Sequence, residues 1–215
     1  MGICRDFCQI VIGMDPLNNE KIGDKLHRST FWGKGGGSII FAGISAIDIA
    51  LWDIKGKVCN MSVYKLLGGK TNDKFRTYAS QIQFDWGKIS KNLIMPEEYS
   101  EVTKKVKAEG YTCVKVDHLG VGIDRKWNWN YPPLLEYEML KMGVDRVAAI
   151  REAAGNSLDI IIELHSQTNV NTAIQFGKEI EALRCFYYEE HTQPLNQALF
   201  KGISNKLKIP HASGE

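Results

Sequence analysis

Three glutamates, Glu163, Glu189 and Glu215, recur at an interval of 26 residues, and each closes a short run: DIIIE, CFYYE and IPHASGE. A strand, a turn, an amphipathic helix and a return loop fill about that length. The spacing therefore predicts successive βα units of a parallel barrel. Carboxylates at consecutive strand ends would converge on one point. Three hard oxygen donors, with no cysteine cluster or histidine triad beside them, suit Mg²⁺ better than zinc.

The rest of the chain divides into two patterns. Residues 1–75 read as helical: Asp15-Pro16 is the predicted start of one helix, and Gly35-Gly36-Gly37 interrupt the helical pattern beyond it. A helix from about Ser38 carries Ile40, Ile44, Ile47, Leu51 and Ile54 at the spacing of one buried stripe. Tyr64, Leu66 and Leu67, followed by Gly68-Gly69, read as a short helix and its stop. From residue 76 the pattern alternates. FRTYASQI, YTCVKVD, LDIIIELH, CFYYEE and IPHASGE are five predicted strands, separated by helices at PEEYSEVTKKVKAEG, EYEMLKMGVDRVAAIREAAG, NVNTAIQFGKEIEAL and NQALFKGISNKL. An open doubly wound sheet would alternate in the same way, but neither GxGxxG nor a Walker pattern follows an early strand. The acidic strand ends favour the barrel.

With 215 residues the chain can bury a real core, yet a complete (β/α)₈ barrel takes about 250 residues, so strands are missing. A net charge of +2 without a Lys/Arg block points away from nucleic acid. The longest apolar stretch, SIIFAGISAIDIALW, carries Asp48 and is too short for a bilayer, and no signal peptide is recognisable. Five cysteines, Cys4, Cys8, Cys59, Cys113 and Cys185, lack CxxC spacing; three lie in apolar runs where a buried thiol is the usual state, which implies a reducing cytoplasm.

Side chains alternate along a strand, so Glu163 shares a face with His165, and Lys115 with Asp117. A lysine and a histidine beside a carboxylate metal site form a tool for one kind of chemistry. The metal neutralises a substrate carboxylate and stabilises the enolate formed when its α-proton leaves, while the side chains move protons.

Six segments, FWGKGGGSIIFAGISAIDIALWDIKGK, VYKLLGGK, GYTCVKVD, DRVAAIREAAGNSLDIIIELH, FYYEEHTQPLN and IPHASGE, carry a resemblance that spans nearly the whole chain from about Ile12. It resembles the mandelate racemase and muconate-lactonising branch of the enolase superfamily, among the acid-sugar dehydratases related to galactonate dehydratase. The resemblance implies an α/β fold, an incomplete (β/α)₇β TIM-type barrel over residues 76–215, preceded in residues 1–75 by the helical part of an α+β capping domain. It implies Mg²⁺ held by Glu163, Glu189 and Glu215. It matches His165 to the general acid that protonates the departing hydroxyl, and Lys115 to the lysine near the substrate carboxylate. Asp117 stands where racemases have a second lysine as base, which makes a two-base racemisation less fitting. The implied reaction is removal of water from an aldonic or aldaric acid, giving a 2-keto-3-deoxy acid. A racemase or epimerase of a related hydroxy acid, and a non-catalytic truncated gene product, are the alternatives.

The sequence also departs from the family pattern. Glu163 replaces a frequent Asp, His191 stands at the proline of EEP, and Ser213 replaces a small residue of the last strand. The family's histidine–aspartate dyad, expected on later strands, is not in the 215 residues, so the chain reads as the middle of a longer enzyme and as inactive alone. The implied partners are a small sugar acid and, in the complete enzyme, copies of itself, with neither nucleic acid nor membrane. Glu190 is expected on the face opposite Glu189, against a helix or neighbouring strand. His118, His191 and His211 are expected to be solvated or locally hydrogen-bonded. Trp127, Trp129 and Tyr131 are expected to cover the barrel edge or stack on a sugar or a neighbouring subunit, and Trp32 and Trp52 to pack the cap.

Overall fold

The computed structural model describes residues 2–29, 31–129, 131–194 and 196–214, with Trp32 described by its backbone alone. It divides into two compact units, residues 1–75 and 76–215.

The first unit is helical. Its elements are α1 (Gly2–Val11), α2 (Asn19–Arg28), α3 (Phe31–Gly35), α4 (Ser38–Val58) and α5 (Val63–Leu66). Asp15 and Pro16 form a turn ahead of α2 and do not start it. The Asp15 carboxylate accepts from the Leu17 backbone N–H at 2.9 Å and from the Asn18 side chain at 3.1 Å, and helix begins at Asn19. The α4 stripe packs Ile40, Ile44, Ile47 and Leu51 around Phe7, Ile22 and Leu26. Ile54, expected in that stripe, lies outside the cluster and is exposed. Trp52 is half-buried under the Lys55 ammonium, 5.0 Å from the ring centre.

The second unit is a parallel sheet. Strands β1 (Cys113–Val116), β2 (Asp159–Glu163), β3 (Tyr187–Glu189) and β4 (His211–Ala212) pair in chain order. Helices α6 (Pro96–Ala108), α7 (Tyr137–Ala154), α8 (Val170–Ile180) and α9 (Gln197–Ser204) precede or link them. The strand expected over FRTYASQI is reduced to one bridging residue. Ala79 donates to Cys113 O at 3.0 Å and accepts from Lys115 N at 2.8 Å. Two residues later Gln81 turns left-handed, φ +59°, into a 3₁₀ turn at Ile82–Phe84, which ends the extended run.

Side-chain alternation gives this sheet two different faces. Val114, Val116, Ile160, Ile162 and Tyr188 pack with Val102 and Val106 of α6, Val147 and Ile150 of α7, and Phe176 and Ile180 of α8 in one apolar core. Helices cover this face, whereas a doubly wound sheet would be covered on both. The opposite face carries Lys115, Ile161, Glu163 and Glu189, with Ile161 beside Lys115 and Glu163 beside Glu189 in register. This is the inner face of a barrel arc.

The helix starts follow from local chemistry. Pro96 opens α6, and the Glu98 carboxylate accepts from the Ile94 and Met95 backbone N–H groups at 2.7 and 3.0 Å. Burial pushes the Glu98 carboxyl up, but these bonds and the Lys91 ammonium outweigh it and hold it down to about 2. Asn169 and Asn196 cap α8 and α9 through their side-chain oxygens. All five cysteines are free: Cys113 and Cys185 are buried, Cys8 and Cys59 are exposed and Cys4 lies between. Two of them, not three, are buried thiols, and burial pushes these up to about 11 and about 12.

Candidate active site

Five of the six predicted site residues meet at the C-terminal ends of β1, β2 and β3. The sixth, Glu215, lies outside the described residues. Lys115 is the second-last residue of β1, Glu163 closes β2 and Glu189 closes β3. The Lys115 Nζ lies 2.7 Å from Glu163 Oε2 and 2.7 Å from Glu189 Oε1. Burial works against this ammonium, but the two carboxylates outweigh it and raise its pKa above the ordinary lysine value. Burial and the nearby Glu163 raise the Glu189 carboxyl against the pull of Lys115.

His165 and Asp117 form the second half of the site. Neither lies within a strand: β1 ends at Val116 and β2 at Glu163. His165 and Ser166 are both left-handed, φ +48° and +57°, so a turn and not strand alternation places the imidazole. The His165 backbone N–H donates to Glu163 Oε1 at 2.7 Å, which ties that turn to the carboxylate. Its Nδ1 lies 2.8 Å from Asp117 Oδ2. Asp117 Oδ1 accepts from the backbone N–H groups of Leu119 and Gly120 at 3.2 and 2.7 Å. Both Asp117 oxygens are thus engaged, and its side chain is only 1% exposed. The hydrogen bond to Asp117 carries His165 above the ordinary imidazole value, against the effect of its partial burial.

A cavity of ≈ 200 Å³ opens over these groups, lined by Lys115, Asp117, Glu163 and His165 and by Tyr78, Ser80, Gln81 and Gln83. Tyr78, Ser80 and Gln81 come from the segment whose pattern reads as a plain strand, and Gln83 follows it; that pattern gives no sign of their part in the site. Gln83 is fully buried, and its Oε1 accepts from the Asp117 N–H at 3.3 Å. A backbone N–H only donates, which fixes the amide orientation and leaves Nε2, which has no partner, as a spare donor. A glutamine between turn residues carries no signal in the sequence. Trp127 stands edge-on to His165 with ring centres 5.9 Å apart and also touches Phe84 and Trp129, so the aromatic loop walls the site.

The remaining histidines divide. His211 Nδ1 and His191 Nε2 are 2.9 Å apart, a local hydrogen bond of the expected kind. His118 contradicts its expectation. It is fully buried, neither ring nitrogen has a partner, and it stacks on Phe176 at 3.8 Å. Burial lowers its pKa well below the ordinary value.

The donor set fits a hard divalent cation. Glu163 and Glu189 already grip one positive charge between them, and Glu189 Oε2 is buried without a partner. Among the described residues no group of three metal-ligating side chains assembles.

The chain matches the family model of the mandelate racemase / muconate lactonizing enzyme N-terminal domain over residues 2–68, and that of the enolase C-terminal domain-like family over residues 98–215. It belongs to the mandelate racemase/muconate lactonizing family of the enolase superfamily. Its relatives in that family include a D-gluconate dehydratase of Thermoproteus tenax, 34% identical over 169 residues, which cover 79% of this chain and 30% of the relative. A D-galactonate dehydratase of Verminephrobacter eiseniae is 30% identical over 210 residues, covering 95% of this chain and 48% of the relative. The crystal structure of an enolase superfamily member from Salmonella Typhimurium superposes over the whole chain with a TM-score of 0.94 at 48% identity, and 55% of that chain is covered. The chain thus spans about half the solved enolase-superfamily chain. Within the family, this arc is the part of the barrel that carries Lys115, Glu163 and Glu189. No described helix is long and apolar enough to cross a membrane.

Proposed function

We propose that this chain carries the metal-binding and acid-delivering arc of a sugar-acid dehydratase, acting on an aldonic or aldaric acid of the galactonate or gluconate kind. The observation that carries the reading is the juxtaposition of two half-sites: a cation held between Glu163 and Glu189, and the imidazole of His165 fixed by Asp117 beside them. The names of the relatives in the family support the substrate class.

Glu163, Glu189 and Glu215 would hold Mg²⁺. Bound there, the ion would supply charge neutralisation for a substrate carboxylate and for the negative charge that gathers on it as the α-proton passes to a base, the histidine of the dyad that the family resemblance assigns to later strands. Lys115 adds positive charge to the same region. His165, whose charged form the Asp117 carboxylate favours, would give a proton to the β-hydroxyl as the C–O bond breaks, and water departs. The enol left behind tautomerises to the 2-keto-3-deoxy acid. Asp117 sets the imidazole's orientation and tautomer, and Gln83, which braces the Asp117 backbone, has a spare N–H pair to offer a substrate hydroxyl. Racemisation would need a second base, and Asp117, at the position for one, has both oxygens engaged. The same reading includes a cytoplasmic setting, in keeping with five free cysteines, and self-association of the complete enzyme.

The test is calorimetric titration of the chain with D-galactonate and D-gluconate, with and without Mg²⁺. Binding that requires Mg²⁺ and is lost in Glu163→Gln is the expected result. Sugar-acid binding indifferent to both would overturn the assignment.

A further inference from the structure

Parallel pairing in the sheet stops where the site begins. His165, Ser166 and Glu190 all have positive φ, +48°, +57° and +42°, and left-handed residues cannot extend a β-ladder. The turns after β2, β3 and β4 nevertheless stay aligned. Three backbone bonds reach past the strand ends: Leu164 N–H donates to Glu189 O at 3.2 Å, Ser166 N–H to Glu190 O at 2.7 Å, and Glu190 N–H to Ala212 O at 3.0 Å. Beyond these, the Glu190 side chain takes over. Its Oε2 accepts from the Ser166 hydroxyl at 2.8 Å, and its Oε1 accepts from the Gly214 N–H at 2.6 Å. The Glu190 side of both bonds is buried, the residue being 2% exposed, while Ser166 is half-buried and Gly214 exposed.

We infer that Glu190 is a positioning residue whose carboxylate braces the turn carrying His165 to the segment entering Glu215, and so holds the acid and the ligand set in one register. The adjacent carboxylates thus divide their labour. Glu189 faces the cation site, and Glu190 replaces the missing ladder on both sides of it. A buried carboxylate with one oxygen on the turn after β2 and the other on the segment after β4 is placed to tie the two together. The consequence for metal affinity rests on the proposed Mg²⁺ site; the brace itself does not.

The test combines residue-resolved amide exchange with Mg²⁺ titration by calorimetry. In Glu190→Ala, exchange at Gly214 should quicken by roughly tenfold or more, because its amide loses the carboxylate acceptor, and exchange at Ser166, whose amide keeps the Glu190 backbone oxygen, should quicken as the tie through its hydroxyl is lost. The Ile160 and Ile162 amides of β2 should change far less. Mg²⁺ affinity should fall by roughly 10–100-fold, as for other residues that orient metal ligands. Glu190→Gln should restore both, since its amide oxygen can accept from Gly214 and its NH₂ can donate to the Ser166 hydroxyl. Unchanged exchange at the two amides, exchange quickened equally through the sheet, or a glutamine no better than alanine would each overturn the brace. Should Glu190→Ala fail to fold, Ser166→Ala decides: exchange must quicken at residue 166 with Gly214 still protected, and unchanged exchange at 166 overturns it. A wild-type chain with no Mg²⁺ affinity would sink the metal reading while the two amides still judge the brace.

Discussion

Replacing Lys115 by methionine would test the charge arrangement at its centre. The substitution keeps most of the apolar stem and deletes the ammonium held 2.7 Å from each of Glu163 and Glu189. The Glu163 side chain is 3% exposed and that of Glu189 is 16% exposed, so two nearly dry carboxylates would face each other uncompensated. Stranding a buried charge by removing its partner costs about 3–5 kcal/mol. The lower end applies because Glu189 retains some access to water, giving about 3 kcal/mol. For a domain of this size that corresponds to a fall in Tm of roughly 6–12 °C. The assay is thermal unfolding by circular dichroism, first with a chelator and then with excess Mg²⁺. Mg²⁺ at about 100 times its Kd should return about 2.7 kcal/mol by mass action, so most of the loss should disappear. A variant as stable as wild type in chelator would refute the claim that these carboxylates form a cation hole. A loss that Mg²⁺ leaves untouched would show that Lys115 is needed for packing and not for charge.

His118 gives a pH prediction. Its buried ring stays neutral while the unfolded chain takes up a proton below about pH 6.5, so the depressed pKa costs stability as pH falls. His118→Leu should remove that contribution, flattening urea-derived stability between pH 6.5 and 5 by about 2 kcal/mol; an acid limb as steep as wild type would count against a dry, neutral imidazole. Gly120→Ala probes the aromatic wall: a Cβ there would meet the Trp127 ring at 2.4 Å and the Asp117 carboxyl carbon at 3.0 Å. The expected loss is about 1–3 kcal/mol, with a shift of the His165 ring proton signals as the indole moves. Unaltered His165 signals would mean that the Trp127 ring does not stand against it.

The parts of the site that are legible in the sequence are those set by short-range pattern. Glu163 and Glu189 close apolar runs, and a strand end in a parallel sheet delivers its last side chain to a predictable place. Lys115 is legible for the same reason. Alternation from Glu163 points to His165, although alternation stops at Glu163 and a left-handed turn places the ring. Its backbone bond to the Glu163 carboxylate keeps it near the site even so. Gln83, Glu190 and the partner of Asp117 are not legible. Each depends on which turns meet across strands, a distance of 34 residues for Gln83 and Asp117 and 48 for Asp117 and His165.

The sequence alone determines the βα rhythm, the inward row of carboxylates and their all-oxygen donor chemistry. Periodicity and residue type are local properties, and the hydrophobic effect acts on them wherever the chain folds. Only the tertiary structure decides that FRTYASQI shrinks to a single bridge at Ala79, that Ile54 faces outward and that His118 is dry against Phe176. It also decides that Asp117 pairs with His165 and that Glu190 bonds to both Ser166 and Gly214. These outcomes depend on register and on packing between distant segments. A buried polar group takes its role from the partner that desolvation obliges it to find.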